Sequence, residues 1–231
     1  MSTAIRLIDL VADDRKVMIE AYYMKILSKD INTLHGTTWI NDEVVNFYMQ
    51  MLSGRSRPPA TTSPIDTDII TLPIIYTFST FFYTKLHMKG IDSVRSWTKE
   101  DIFINSLIFI PIHHCKPSKH WCLVVINMET QEIMYYDSKG GYNQQCVKDI
   151  QMYMREEYLS RKGRPLDLST WHIRAPIDIP LQDNDHDCGM FMLKYAEYIS
   201  RRAKITFSQE DIPLFRNRMK YEITHNHLVH P

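Results

Sequence analysis

The sequence has no excess of charge of either sign. Its 231 residues carry 27 basic and 27 acidic side chains, so the formal net charge is zero. Non-specific binding to nucleic acid depends on positive charge, and this balance therefore argues against a nucleic-acid partner. Local charged patches that recognise a protein partner remain compatible with it.

Long apolar runs are also missing. No stretch approaches the roughly 18 apolar residues of a membrane-spanning helix, so we expect no membrane segment. The first residues, MSTAIRLIDLVADD, do not show a basic end followed by an apolar core, which is the pattern of a secretory signal. The cysteines are few and show no disulfide-framework spacing: Cys115, Cys122, Cys146 and Cys188. We predict reduced thiols in the cytosol or nucleus.

The stretch HHCKPSKHWC (113–122) concentrates histidine and cysteine and raises the question of a zinc site. His120 and Cys122 are two residues apart on a predicted strand, so their side chains share a face. A structural zinc site, however, uses four nitrogen or sulfur ligands at regular short spacing, and no second paired cluster follows. We therefore expect no metal and no other cofactor.

Hydrophobic periodicity predicts helices in the first part of the chain. The segment WINDEVVNFYMQMLSG predicts a helix that Asn41 caps and Gly54 ends. One apolar face of this helix contains Val44, Val45, Tyr48, Met51 and Leu52. The segment YTFSTFFYTKLHMKG predicts a second helix, which ends at Gly90.

Strands are predicted in the middle of the chain, at SLIFIPIH (106–113), WCLVVIN and EIMYYDS. Two further helices follow, and a capping-box spacing of Ser208 and Asp211 marks the start of the last one. In the other, CGMFMLKYAEYISRR, a polar stripe formed by Lys194, Glu197 and Arg201 interrupts an apolar surface, so we expect it to be largely buried. This order of elements predicts an α+β fold with a central sheet.

No internal repeat is visible, and the polar breaks at 55–68 and 161–165 are too short to separate domains. We predict one domain over residues 1–231.

The two central strands suggest a catalytic pair. If WCLVVIN and EIMYYD form a hairpin centred between Met128 and Glu129, His120 lies directly opposite Asp137. A carboxylate in this position can hold one ring nitrogen and fix the tautomer of the imidazole. A histidine at a strand end and an aspartate that begins a turn would fit the same residues without any catalytic role.

Cys188 is the candidate nucleophile. It follows the acidic stretch QDNDHD (182–187) and begins a predicted buried helix, where free N–H groups and the helix dipole stabilise an anion. A cysteine with a histidine and an aspartate remote in sequence forms a candidate triad for acyl transfer. Gln182 could donate its amide to an oxyanion. A small core cysteine and a surface glutamine are the structural alternatives.

Several ordered segments resemble one family. The motifs HWC, YYDS and Q-x-N-x-x-D-C-G-M-F are similar to those of the SUMO-specific (sentrin-specific) cysteine proteases. WINDEVVNFYM resembles the Trp-Leu-Asn-Asp-Glu segment of that family, and FSTFFYTKL, RSWTK, IFIPIH, CGMFMLKYAEYI and FRNRMKYEI follow in the family order. The resemblance covers most of the chain and implies a papain-like cysteine protease fold, with a central mixed β-sheet flanked by helices.

The resemblance also implies roles for individual residues. His120 would be the general base, Asp137 its orienting carboxylate, Cys188 the nucleophile and Gln182 the oxyanion donor. The tryptophans Trp39 and Trp121 would flank a narrow tunnel for a Gly-Gly tail, and Asp42 would contact a basic residue of the modifier. The chain departs from the family at Asp185 and His186, where Gly and Ser are usual.

The expected function is cleavage after the C-terminal Gly-Gly of SUMO, in conjugates to lysine and in the precursor. The same chemistry on another ubiquitin-like modifier, and an inactive domain that binds the modifier, are the alternatives. The expected partners are SUMO or a related modifier and its conjugates, with neither nucleic acid nor membrane, and we expect a monomer. The resemblance alone favours the nucleus over the cytoplasm.

Overall fold

A small antiparallel hairpin opens the described part of the chain. The computed structural model of the protein describes residues 14–55, 72–115 and 118–229. Strands β1 (Val17–Ala21) and β2 (Met24–Leu27) are joined by Tyr22 and Tyr23, which both have positive φ, as a two-residue turn of type I′ requires. Helices α1 (Ser28–Asn32) and α2 (Asp42–Arg55) follow.

Five strands and four α-helices follow along the described part of the chain. They are β3 (Ile75–Thr77), α3 (Phe81–Lys89), β4 (Leu107–His114), β5 (His120–Asn127), β6 (Glu132–Tyr136), α4 (Gln144–Lys162), β7 (His172–Arg174), α5 (Cys188–Ser200) and α6 (Ile212–His225). Short 3-10 helices occupy Ile91–Ser93, Arg95–Trp97, Ile102–Ile104 and Gln209–Asp211.

A mixed five-stranded sheet forms the centre of the fold. Its strand order is β3-β4-β5-β6-β7, with β5 antiparallel to both β4 and β6, β3 parallel to β4, and β7 parallel to β6. Helices cover both faces. The predicted α+β architecture with a central mixed sheet between helices is therefore confirmed.

The side chains of β5 separate two hydrophobic cores. Trp121, Leu123 and Val125 point to one face, where α2, α5 and α6 pack. Cys122, Val124 and Ile126 point to the other, where α3 and α4 pack. This alternation is the period of two that a strand buried on both faces requires. The same alternation determines on which face of the sheet each residue of the HWC motif lies.

The helix predicted around Asn41 forms, with one correction. The Val44 amide donates a hydrogen bond of 3.1 Å to the Asn41 side chain, as expected of a capping residue, and all five apolar residues of the predicted face are buried. Gly54 does not end the helix, which continues to Arg55. Glycine in a helix costs only about 1 kcal/mol relative to alanine, and the burial of Met51 and Leu52 outweighs this cost.

The second predicted helix begins later than expected. Its first residues instead form β3, in which Ile75, Tyr76 and Thr77 pair with Leu107, Ile108 and Phe109 of β4. Aromatic and β-branched side chains favour a strand, and the neighbouring strand supplies the hydrogen bonds. The predicted end is correct, because α3 stops at Lys89 and Gly90 follows with a φ of 74°.

The predicted helix α5 is present and largely buried, as expected, and its polar stripe is buried with it. Lys194 and Glu197 are both about 97% buried, since each has only 3% of its surface exposed. Lys194 donates to Glu197 at 2.8 Å, and Arg201 and Arg55 also pair with that carboxylate. The stripe is therefore a buried ion network. The predicted capping box of Ser208 and Asp211 forms in front of α6.

Most of the predicted loop at 55–68 lies outside the described residues. Within the described ranges, no helix combines the length and the apolar character needed to cross a membrane.

Candidate active site

The hairpin of β5 and β6 brings His120 to Asp137, although in a different register from the predicted one. Leu123 pairs with Tyr136 and Asn127 with Glu132, so the register is displaced by two residues. The cause is a four-residue loop, in which the Asn127 side chain accepts hydrogen bonds from two loop amides and Gln131 has a φ of 56°. An even displacement keeps every side chain on its face. His120 Nε2 therefore still meets Asp137 Oδ1, at 2.6 Å.

The surroundings of this pair favour its charged form. Burial alone would lower the pKa of His120, but hydrogen bonds with Asp137, Cys122 and Cys188 raise it above its usual value. Burial would raise the pKa of Asp137, but hydrogen bonds from His120 and from the Lys139 amide, at 2.8 Å, lower it. The result is an imidazole held by a carboxylate that stays ionised.

Cys188 lies at the first position of α5 and is buried. Its sulfur interacts with His120, and this interaction raises the pKa of the imidazole. Since Asp137 holds Nε2, the other ring nitrogen, Nδ1, is the one that can exchange a proton with the thiol. The structure thus brings together three remote segments of the sequence: the start of β5, the end of β6 and the start of α5.

The two predicted tunnel tryptophans lie beside this helix end. Trp121 is buried and donates a hydrogen bond of 3.1 Å from Nε1 to the Ile40 carbonyl, while the neighbouring Trp39 is 37% exposed. Gly189 packs closely on this segment, since a Cβ there would lie 3.2 Å from both Ile40 and Trp121. A larger residue at this position would require Ile40 and Trp121 to move by a few tenths of an ångström. Asp42 lies nearby, in the first turn of α2, and is partly exposed.

Gln182 is tied to the residue that follows Asp137. Its backbone amide donates to the Ser138 carbonyl at 2.8 Å, and its side-chain oxygen accepts from Ser138 Oγ at 2.5 Å. Its amide nitrogen donates to the Asn184 carbonyl. The side chain is therefore held in a defined orientation, with one N–H still available to a substrate.

The acidic residues before Cys188 differ in their environments. Asp185 is exposed and forms an ion pair of 2.6 Å with Lys139, and this hydrogen bond lowers the pKa of Asp185. Asp187, in contrast, is buried. Asp183 is exposed, and its backbone amide donates to the Gln209 side chain. The negative charge near the thiol is thus partly compensated, which the sequence did not indicate.

The described residues also contain one group of side chains with metal-ligand chemistry. This group offers three potential ligand atoms, one from each of His120, Cys122 and Asp137, and the three atoms lie within 4.8 Å of one another. The rest of the HHCKPSKHWC cluster has other contacts. His113 stacks on Trp121 with ring centroids 4.2 Å apart, and His114 Nε2 is 2.8 Å from the Tyr135 hydroxyl.

This arrangement of fold and site matches a known family. Residues 38–228 match the family described as "Ulp1 protease family, C-terminal catalytic domain". The chain belongs to the Ulp1 protease family. It is 38% identical to human sentrin-specific protease 2 and 36% identical to a sentrin-specific protease of Caenorhabditis elegans, over 93% and 91% of this chain. It spans only 34% and 29% of those relatives, about a third of their length.

Solved structures of the Ulp1 family share the fold. The structure of the C-terminal Ulp1 protease domain in complex with Smt3, the yeast ortholog of SUMO, matches with a TM-score of 0.77 and 25% identity. The match covers 94% of this chain and 90% of that domain. The fold predicted from the resemblance is therefore confirmed.

Two supporting contacts of this Ulp1-family site were missed in the sequence. A Cβ at Gly141 would lie only 2.4 Å from Asp137 Oδ2, and the Gly141 amide donates to that carboxylate. Only glycine can approach the carboxylate so closely. In the sequence, the Gly-Gly pair that follows YYDSK could have indicated a close approach of the backbone at this point.

The second missed contact is a buried ion pair behind the nucleophile. Arg216 of α6 binds Asp187 at 2.6 Å and also donates to the carbonyls of Thr33 and Thr38. Arg216 therefore connects the residue before Cys188 to the segment that carries Trp39. The two partners are 29 residues apart, so no local pattern predicts their contact.

Proposed function

We propose that this chain is the catalytic domain of a thiol protease and isopeptidase that cleaves after the C-terminal Gly-Gly of SUMO. It would release SUMO from lysines of conjugates and trim the SUMO precursor. The observation that supports this most strongly is the His120–Asp137 pair at 2.6 Å, beside a cysteine at the start of a buried helix. Membership of the Ulp1 family and a related domain in complex with Smt3 support the choice of substrate.

The residues account for each step of the hydrolysis. The Cys188 thiolate attacks the carbonyl carbon of the terminal glycine, while the His120 imidazolium holds the proton that the thiol has given up. The oxyanion meets the free N–H groups at the start of α5 and the amide of Gln182. As the thioester forms, the leaving amine takes the proton from His120. His120 then removes a proton from water, the resulting hydroxide releases the carboxylate product, and Cys188 is regenerated. Asp137 orients the ring throughout.

Selection of the Gly-Gly tail would depend on the tryptophans. A chain of two glycines can pass where any β-carbon would clash. Trp121 is fixed by its hydrogen bond to Ile40, and Trp39 next to it is accessible, so flat aromatic walls can exclude larger residues by steric repulsion. Asp42, partly exposed at the start of α2, would contact a basic residue of the modifier. We further propose that the domain acts as a monomer in the nucleus, the cytoplasm or both.

A panel of modifiers tests the proposal. SUMO, ubiquitin and other ubiquitin-like proteins, each carrying a C-terminal electrophile, are incubated with the domain and with its Cys188→Ala variant. We expect a covalent adduct with SUMO that depends on Cys188, together with cleavage of a SUMO–lysine isopeptide. If only a different modifier forms an adduct, that modifier and not SUMO is the substrate. Binding of SUMO without adduct or cleavage would make the chain an inactive binding domain.

A further inference from the structure

Cys122 lies directly beneath the proposed catalytic pair, and no step of the proposed hydrolysis uses it. In the observed register Leu123 faces Tyr136, so one position further along the hairpin Cys122 faces Asp137. His120 lies two residues before Cys122 on β5, and the two side chains therefore leave the same face of the sheet. A nitrogen, a sulfur and an oxygen donor thus converge within 4.8 Å.

These three donors are on the opposite side of the sheet from the nucleophile. The side chain of Cys122 belongs to the core beneath α3 and α4, whereas Cys188 belongs to the core with α2, α5 and α6. The imidazole of His120 interacts with both sulfurs, and each of them raises its pKa. A ligand that binds on the Cys122 side therefore competes with Cys188 for the same imidazole.

Solvent has access to His120 and Asp137 from this side, and Cys122 is buried behind them. A cavity of about 400 Å³ is lined by His114, His120, Tyr135, Asp137 and Tyr142, among others. A hydrated cation can enter through it without passing the tryptophans or Cys188. The cavity also leaves room for water as a fourth ligand, which is the pattern of zinc sites with three protein ligands.

We propose that His120, Cys122 and Asp137 form a binding site for a thiophilic divalent cation such as Zn²⁺, and that occupation of this site inhibits the enzyme. Imidazole, thiolate and carboxylate are the ligands that zinc uses in proteins. In a tetrahedral site, neighbouring donor atoms are about 3.3–3.8 Å apart, so these donors need to shift by only about 1 Å. Binding releases the thiol proton of Cys122 and any second proton on the imidazole.

The inhibition follows from the chemistry of imidazole. Nε2 already faces Asp137 and is the atom that would bind the cation. A neutral imidazole bound through one nitrogen carries its proton on the other, so Nδ1 becomes a donor and cannot accept the proton of Cys188. The inhibitory part of the inference rests on the proposed protease function, whereas the binding of the cation does not.

Binding is tested without substrate, so that the result does not depend on activity. Zn²⁺ affinity is measured by competition with a chromophoric chelator, and Co²⁺ is used to detect thiolate ligation through its near-ultraviolet charge-transfer band. We expect Cys188→Ala to keep the affinity and the band. Cys122→Ala and Cys122→Ser should raise the Kd at least about tenfold and abolish the band. Cys146→Ala, another buried cysteine, is the matched control and should resemble the parent.

Two binding results overturn the proposal. If Cys188→Ala loses the cation and both Cys122 variants keep it, the metal binds the nucleophile and not Cys122. Equal affinity in all variants would also exclude the site. Thermal unfolding of each variant verifies that it is folded, and the serine substitution provides a second variant if alanine at this buried position is not tolerated.

Inhibition is then measured as the rate of SUMO isopeptide cleavage at increasing concentrations of free Zn²⁺. The rate of each variant is divided by its own rate without metal. We expect EDTA to restore the parent and the half-inhibitory concentration of Cys122→Ser to rise about tenfold or more. Mg²⁺ should have no effect, because it prefers oxygen ligands. Tight binding at Cys122 without inhibition would refute the regulatory part. A domain that is inactive before any metal is added would instead refute the proposed protease function and leave the binding result intact.

Discussion

Ser138 Oγ donates a hydrogen bond of 2.5 Å to the side-chain oxygen of Gln182. Ser138 directly follows Asp137, and its side chain is buried. Because the oxygen of the amide is bound to Ser138, the nitrogen points to the other side, where it donates to the Asn184 carbonyl. The bond thus connects the segment that contains Asp137 to Gln182, the proposed oxyanion donor.

We predict that Ser138→Ala lowers kcat about tenfold and leaves KM nearly unchanged. Without the hydroxyl, only the hydrogen bond to the Asn184 carbonyl holds the amide of Gln182, so the rotated amide, with its oxygen toward the oxyanion, becomes more populated. Complete loss of such a donor costs about 10²–10³ in kcat, so a partly misoriented donor should cost less. Steady-state kinetics on a SUMO isopeptide measures the effect, and Ser138→Thr, which keeps the hydroxyl, is the control. If kcat/KM instead falls tenfold because KM rises while kcat is unchanged, Ser138 contributes only to substrate binding.

The sequence was sufficient to predict the pairing of His120 with Asp137. An error of two residues in register leaves both side chains on the same face of the sheet, because side chains alternate with a period of two. The sequence could not predict that error, since the loop length depends on side-chain hydrogen bonds of Asn127 and on the left-handed backbone of Gln131. Helix α4 was missed although the signal was present. Its buried positions recur at helical spacing, Asn143 caps its start and Gly163 follows its end.

Contacts between distant segments were the least predictable. Arg216 and Asp187, or Ser138 and Gln182, are polar residues whose sequence neighbours give no indication of a partner. The sequence showed Lys194 and Glu197 as part of a polar stripe but gave no indication that their charges are buried together. Periodicity identifies which face of an element is apolar, but the burial of a charge depends on counter-charges brought in by tertiary structure.

Cys188→Ser should reduce SUMO cleavage by about 10³-fold or more, because a serine hydroxyl in this site lacks the acidity of a thiol. Binding of SUMO should be unchanged, since Trp39, Trp121 and Asp42 are not altered. Cleavage assays and calorimetric titration with SUMO measure the two quantities. Cys146→Ala, a buried cysteine of α4 with no role in the proposed hydrolysis, is the control and should affect stability more than turnover. Normal turnover of Cys188→Ser would exclude the proposed nucleophile.

Asp137→Asn should keep the fold and lower kcat. The amide can donate to His120 and so stabilises the wrong tautomer of the ring. In a serine protease, the corresponding change costs about 10⁴ in turnover. We expect a smaller loss here, about 10²–10³, because a thiol depends less on its base than a hydroxyl does. Single-turnover kinetics with the parent and the variant measures the loss. Parent rates in both Asp137→Asn and His120→Ala would be incompatible with the triad.

Glu197 should make stability depend on pH in acid. Burial raises the pKa of this carboxyl, but hydrogen bonds and charges of Arg201 and Lys194 lower it to about 2. Its contribution is therefore fully present above the unfolded pKa of 4.5 and is lost as the pH falls from there to about 2. A shift of this size corresponds to about 3 kcal/mol in the free energy of unfolding.

The measurement is urea unfolding of the parent and of Glu197→Gln between pH 7 and pH 2. The variant should be less stable by about 3 kcal/mol at pH 7, and the difference should shrink across the acidic window. Glu129→Gln is the matched control, because Glu129 forms an exposed ion pair with Arg202 and should change stability by less than about 1 kcal/mol. A difference that stays constant with pH would show that Glu197 acts through packing and not through its charge.

The departure from the family at Asp185 and His186 gives the last prediction. Asp185 is paired with Lys139 at 2.6 Å, and the pKa of Lys139 is raised by this hydrogen bond and, to a smaller extent, by the charge of Cys188. The ammonium group is therefore within electrostatic reach of the thiol. Replacing Asp185 by Gly and His186 by Ser removes the partner of Lys139, and the freed positive charge then stabilises the thiolate and the oxyanion. We expect alkylation of Cys188 and SUMO cleavage to rise about twofold to fivefold at low salt.

Two comparisons separate this electrostatic effect from a change in loop conformation. The gain should shrink at high ionic strength, because salt screens charges at an exposed site. It should also disappear when Lys139→Gln is added to the double variant, since the responsible cation is then absent. Iodoacetamide alkylation and cleavage are measured for the parent, the double variant and the triple variant at low and high salt. A gain that survives both high salt and the loss of Lys139 would mean that Asp185 and His186 act through the backbone of the loop, and a fall in cleavage would mean that they contact the substrate.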